Sequence, residues 1–245
     1  MRVASTISRH LVCLAAAGAL LAFAAVPAVA QSLTSTAALA APAQWRTTFR
    51  PPPAKRRSLG VRAFVTFDVD ALAASQTFQA VVGTSTPRAI GAGGEVLNVW
   101  KGLFVHVAAS KMKETGSRVA VANGDSVPLD IPLTVEMTPI EIGAGWRVDL
   151  GRRRRVGVYV GGGLLHLLYR ETSTFASDEE NSDTAFNGGF VSGGADVRFL
   201  GGVMVGVEGQ IRSVPNAIGQ SGASAAFDET DLGGATLRVL AGVKF

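Results

Sequence analysis

A chain of 245 residues that is 47 % hydrophobic and 17 % charged can bury a sizeable core, which excludes a disordered or fibrous class. Its formal net charge of +4 falls to +2 when Arg2 and Arg9 are removed with the leader described next, too close to neutral to argue for nucleic acid as a partner. The single cysteine, Cys13, lies in that same leader, so the remaining chain can build no disulfide framework, thiol nucleophile or cysteine metal site.

Met1 to Ala30 reads as a secretory signal peptide. Arg2 and Arg9 make its start positive, Leu11 to Ala25 is apolar, and Ala28-Val29-Ala30 offers small residues for cleavage before Gln31. A membrane anchor would need about 20 apolar residues, and Pro27 breaks this run too early. Residues 31–59 are rich in Ala, Ser, Thr and Pro, with Pro51-Pro52-Pro53 followed by Lys55-Arg56-Arg57. No strand or helix period runs through them, so they are expected to form a disordered periplasmic linker. No later stretch is apolar enough for a spanning helix. An exported chain of this hydrophobicity then has two options, a soluble periplasmic fold or a closed barrel.

From Gly60 a period of two recurs, the mark of strands with two unlike faces. Gly60 to Asp70 sets Val61, Ala63, Val65, Phe67 and Val69 against Arg62, Thr66, Asp68 and Asp70, with Phe64 out of phase. Arg88 to Trp100 is glycine-rich and ambiguous. Gly102 to Lys111 alternates Leu103, Val105, Val107 and Ala109 with Phe104, His106, Ala108 and Ser110. Ile131 to Val148 is the longest and changes phase at Pro139: Leu133, Val135 and Met137 form its apolar face before the proline, Ile140, Ile142, Ala144, Trp146 and Val148 after it. A one-residue slip of that kind predicts a bulge.

Arg155 to Glu171 is apolar on both sides and cannot be phased. Gly188 to Leu200 and Val203 to Ile211 alternate cleanly, the first with Ser192, Asp196 and Arg198 on its polar face, the second with Glu208 and Gln210 leading to Arg212. The last strand, Ala235 to Phe245, places Ala235, Leu237, Val239, Ala241, Val243 and Phe245 on one face, opposite Thr236, Arg238, Gly242 and Lys244. Short turns at Trp100-Lys101-Gly102, at Asp149 to Arg154 and at Leu200-Gly201-Gly202 alternate strictly with long polar loops.

That alternation, strands of about 10 residues, and a final strand ending on Phe245 resemble the outer-membrane β-barrels of Gram-negative bacteria. The likeness covers about Gly60 to Phe245 and is to the OmpA-transmembrane and OmpX type of barrel. It implies an all-β fold, an eight-stranded antiparallel up-and-down transmembrane β-barrel in the cell outer membrane. It also implies insertion by the barrel-assembly machinery, which in that family reads the terminal strand and its aromatic end, here Phe245. No peptidoglycan-binding domain is expected after the barrel. Trp100, Trp146, Phe199 and Phe245 fall at the short-turn ends, where an aromatic girdle would meet the lipid interface.

Eight strands enclose a lumen that side chains fill. The residues phased inward are Arg62, Arg147, Arg198, Arg212, Arg238 and Lys244 together with Asp68, Glu136, Glu141, Asp196 and Glu208. Charges in so narrow a space must pair. Counting from the short turns puts Arg238 level with Glu208 and Asp68, so those groups are expected to bond.

Catalysis is not expected. His106 and Ser110 share a face but stand roughly 13 Å apart along a strand, and His166 is alone. With His10 in the leader, the histidines do not make a zinc site, and the sequence calls for no metal and no cofactor. Asp178, Glu179, Glu180 and Asp183 form an acidic outer loop without the spacing of a calcium loop. Such a charge run ordinarily stays in water, with bridging to lipopolysaccharide through divalent ions as the alternative. Ser213 to Gly234, with Val214, Ile218 and Phe227 among polar residues, could fold into a short cap or offer a contact patch, and the outer loops together are the first place to look for external ligands. A structural or surface-interaction role is the leading expectation. A narrow channel or transporter of small hydrophobic molecules, and a lipid-modifying barrel enzyme, are the alternatives.

Overall fold

The computed structural model describes residues 59–122, 125–151, 155–173 and 181–245. The expected leader, nearly all of the linker, and Asp178, Glu179 and Glu180 lie outside them. The described chain runs β1 (Gly60–Leu72), α1 (Ser75–Val82), β2 (Arg88–Trp100), β3 (Leu103–Ala122), β4 (Asp125–Leu150), β5 (Val156–Ser173), β6 (Ser182–Arg198), β7 (Val203–Ser213), α2 (Gly222–Ala226) and β8 (Gly234–Lys244). Each strand pairs antiparallel with its neighbours in sequence. β1 and β8 then close the ring in an unbroken ladder from Arg62–Lys244 to Leu72–Gly234. Closure leaves no sheet edge around the wall, which is what a sheet needs if its outer face meets hydrocarbon.

The outer face is the apolar one. Ile90, Val107, Ile142, Leu164, Val191 and Leu237 point away from the lumen, and Leu164 is 74 % exposed. An apolar surface that encircles the molecule would aggregate in water; in a bilayer it is the solvated face. The barrel therefore spans a membrane. Trp100, Trp146, Phe199 and Phe245 also face outward, Phe245 at 79 % exposure, with Trp100 and Trp146 meeting edge to face at 6.3 Å between ring centroids.

β4 does not change phase at Pro139. Its ladder with β3 passes from Ile140–Ala109 to Met137–Met112 without offset, and its ladder with β5 is continuous from Leu133–Ser173 to Leu150–Val156. Leu133, Val135 and Met137 are buried inside the barrel, and Glu136 points outward, where Lys111 and Lys113 each reach it at 3.0 Å. The expected bulge at Pro139 and the inward placement of Glu136 are both corrected. The physical reason is that the apolar face marks the outside only where the outside is lipid. Farther out the surroundings are aqueous and the interior is the dry side, so the same strand keeps its direction while its pattern inverts. The irregularity in the β3–β4 ladder sits instead between Ser117 and Val119.

β3 and β4 also run longer than the sequence pattern suggested, at 20 and 26 residues against 13 for β1 and 11 for β7. Their outer parts stand above the rest of the wall. The inward glycines make room for large lumen side chains. A Cβ at Gly145 would lie 2.6 Å from the Phe104 ring, and one at Gly194 would lie 2.6 Å from the Tyr159 hydroxyl. At the β6–β7 turn, Gly201 and Gly202 take φ of 79° and 84°, a region that favours glycine.

Candidate functional site

The lumen is where the sequence concentrates its charges, and it is built in two layers. The inner layer, toward the short turns, gathers charged side chains from six strands. Arg238 on β8 lies opposite Asp68 of β1 and Glu208 of β7 by register. Its Nε and Nη2 donate to the two Asp68 oxygens at 2.9 and 3.0 Å, a bidentate pair. Nη1 and Nη2 donate to both oxygens of Glu141 at 3.0 and 3.1 Å, and Nη1 reaches Glu208 at 3.3 Å. Arg212 extends the cluster, donating to Glu141 at 2.8 Å, to Asp70 at 3.2 Å and to the Gln210 carbonyl. The Thr236 hydroxyl donates to Asp70.

A second cluster lies nearer the short turns. Arg62 donates to Asp196 at 2.7 Å and pairs with Glu95, while its guanidinium rests between the rings of Phe64 and Tyr159 at 5.5 and 5.6 Å. Arg147 grips the two Asp196 oxygens at 2.5 and 2.6 Å and donates to Asp149 at 2.9 Å. Arg198 and Lys244 face inward at the short-turn mouth and are half-buried. Asp68, Glu141 and Arg62 are each at most 1 % exposed, so removing any partner would strand a charge away from water.

The outer layer is apolar. Leu72, Met112, Leu133, Met137, Leu165 and Leu167 fill the barrel above the charges, and Phe78 of α1 with Val214 and Leu232 of the β7–β8 connection closes them over. The lid is fastened by one carboxylate. Glu229 accepts the backbone N–H of Gln76 at 2.9 Å and of Thr77 at 2.8 Å, satisfying two donors at the start of α1. Asp231 orders the same connection by accepting from the Ser213 hydroxyl and from the N–H groups of Val214 and Gly233. Between the two layers a cavity of about 20 Å³ is lined by Asp70, Arg212, Thr236, Leu167, Val214 and Leu232.

Among the charged residues phased into the lumen from sequence, Glu136 alone points outward. Asp70, Gln210 and Thr236, which the alternation put on the polar faces, join the lumen network, as do Glu95 and Tyr159, which were not singled out. Glu95 was hidden by the glycines of β2, although its register opposite Arg62 was the available signal. His106 is buried between the rings of Phe104 and Phe190, at 6.3 and 5.4 Å. Ser110 is buried farther along the same strand. His166 sits on the outer face, hydrogen-bonded to the Asn187 carbonyl at 2.8 Å. Among the described residues no group of three His, Cys, Asp or Glu is arranged to hold a metal ion. Asp183 is exposed, with the Arg170 guanidinium 3.8 Å away.

No protein-family model and no characterised sequence matches the chain. Among solved structures it is similar to Ail of Yersinia pestis in complex with the heparin analogue sucrose octasulfate, at 12 % identity over 77 % of this chain and 99 % of that one, with a TM-score of 0.48. It is similar to the N-terminal β-barrel domain of Pseudomonas aeruginosa OprF at 10 % identity, over 76 % of this chain and 97 % of that one, with a TM-score of 0.44. The outer membrane protease OmpT of Escherichia coli follows at 10 % identity, over 78 % of this chain and 97 % of that one, with a TM-score of 0.36. Likeness at this level carries no argument about activity, and the eight-stranded closed barrel rests on its own ladders.

Proposed function

We propose that this chain is an outer-membrane barrel with a closed lumen, acting through its outer surface in a structural or surface-interaction role. The observation that supports this reading is the double closure. A paired charge layer lies beneath an apolar plug, and the space between them holds about one water molecule. A solute could cross only if the plug moved and the ion pairs separated. The surfaces left for partners are the lid, the protruding β3–β4 hairpin and the remaining outer connections, all carried on a rigid wall.

On this reading the barrel-assembly machinery inserts the chain through β8 and its Phe245, and outer-membrane lipid surrounds the wall. No catalysis is assigned to it. His106 and Ser110 are enclosed in the lumen, and a nucleophile and its base need to meet at a spot a substrate can reach. Two measurements test the proposal. The membrane fraction run unheated and boiled on a detergent gel should show a shift in apparent mass, and the refolded protein in a planar bilayer should show no conductance steps. Recovery in the soluble fraction with no shift would overturn the barrel reading. Regular steps from the intact chain would overturn closure in favour of a narrow channel.

A further inference from the structure

Walking outward from the short-turn end, the lipid-facing side chains stay apolar as far as Ile90 on β2, Ala109 on β3, Ile140 on β4 and Leu164 on β5. Above them the same face carries Arg88, Lys111, Lys113, Glu136 past Thr138, and Arg170 past His166 and Leu168. Register places Lys113 opposite Glu136 and Glu136 opposite Arg170, while Arg88 lies one position beyond the Ala89–Met112 pair and so beside Lys113. Lys111 and Lys113 each hold one oxygen of Glu136 at 3.0 Å, yet their side chains remain 60 % and 59 % exposed. Glu136 thereby occupies one donor of each ammonium group. Asp183, opposite Arg170 by register and 3.8 Å from its guanidinium, is the second carboxylate of the group; two carboxylates against four cations leave a positive surplus. The rest of the rim differs: among the described residues its outward positions are Asn187 on β6, Ser213 on β7, Ala235 on β8 and Ala71 on β1, with no cation.

We propose that Arg88, Lys111, Lys113 and Arg170 form a binding site for the phosphate-bearing headgroup of a lipid in the outer leaflet, resting on the outer-membrane reading above. Two features favour a lipid over a free anion. The cations occupy one sector of the wall at the height where headgroups begin, and the apolar residues beneath them, Ile90, Ala109, Ile140 and Leu168, provide a surface for the acyl chains of the same molecule. Clustered basic side chains beside an apolar surface are the usual means of holding anionic lipid. Glu136 occupies one donor of each lysine, and the remaining donors are left for solvent and headgroup.

The test uses the full chain refolded into phosphatidylcholine bilayers containing bisphosphorylated lipid A, re-extracted in mild detergent, with bound lipid counted per barrel. The wild type should retain lipid A, and Lys111→Gln/Lys113→Gln should retain about tenfold less. Lys101→Gln/Arg155→Gln, which removes equal charge at the other end of the barrel, should retain as much as wild type. Glu136→Gln, which frees both ammonium groups, should retain at least as much. Excess inorganic phosphate should leave the lipid in place. Equal retention by the Lys111/Lys113 variant, equal retention of dephosphorylated lipid, loss on Glu136→Gln, or full displacement by inorganic phosphate would each overturn the site. The boiling shift is recorded on every sample. A wild type that shifts but retains no lipid defeats this site alone, whereas a wild type without the shift defeats the membrane reading and the site with it.

Discussion

The two halves of the barrel are built inside out relative to each other. In the membrane half, Ile142, Ala144 and Trp146 of β4 face lipid while Glu141 and Arg147 face the lumen. In the outer half of the same strand, Thr134, Glu136 and Thr138 face out while Leu133, Val135 and Met137 pack inward. The backbone does not change direction between them; the solvent does. Where hydrocarbon surrounds the wall, the polar side chains can go only inward and must satisfy one another there. Where water surrounds it, the hydrophobic effect acts in its ordinary sense and assembles a core. One half is therefore held by ion pairs shielded from water, the other by apolar packing under a lid.

That difference is open to direct attack, and the largest effect is expected in the charged half. Arg238→Met removes the guanidinium shared by Asp68, Glu141 and Glu208 and leaves those buried carboxylates without it. Stranding buried charge costs about 3–5 kcal/mol, so urea unfolding in lipid vesicles should move to much lower denaturant, and the boiling shift should occur at lower temperature. In the apolar half, Leu165→Ala empties a site that is 2 % exposed and should cost about 2–5 kcal/mol. Its effect should be local. Backbone hydrogen exchange should rise across α1 and the β7–β8 connection while the membrane-embedded ladders stay protected. If both variants loosen the whole molecule alike, the halves are one cooperative unit and the contrast fails.

The sequence carried the wall more clearly than its filling. Alternation along β1, β3, β6, β7 and β8, together with the spacing of the turns, was enough to order the strands and to aim Asp68, Glu208 and Arg238 into one lumen, because lipid on the outside forces a simple pattern. The same rule misread β4. Leu133 and Met137 are as apolar as Ile142, and nothing local says that one pair faces a lid and the other a bilayer. β5 could not be phased for a related reason, since Leu165 and Leu167 fill the plug while Leu164 and Leu168 point outward. Only register against neighbouring strands separates them. The lid's fastening was invisible, because Glu229 and α1 lie far apart in the chain and meet only once the barrel has closed.

A smaller effect is expected at the lid's fastening. Glu229→Gln keeps a hydrogen-bonding side chain but removes the charge that faces the N-terminus of α1. Interactions of that kind are worth about 0.3–1 kcal/mol when exposed. Exchange should quicken at Gln76 and Thr77 first, with the urea midpoint of the barrel almost unmoved. A large fall in global stability would mean that the lid is an integral part of the wall's folding unit, and the apolar half would then be no separate layer.

The smallest effect bears most directly on the inversion. Glu136 faces outward on β4, between two lysines that are more than half exposed. Exposed pairs of this type contribute about 0.2–1 kcal/mol, so Glu136→Leu should leave the unfolding midpoint within that margin. The neighbouring residue provides the control: Val135 is 2 % exposed, and Val135→Glu places a carboxylate in the dry plug, where register sets it beside Glu114 and Glu171. One position apart, the same side chain should be tolerated on one face and severely destabilising on the other. If instead Glu136→Leu were the damaging change and Val135→Glu the harmless one, β4 would be shifted by one residue above Pro139, its pattern would not invert, and the lumen would be charged along its whole length.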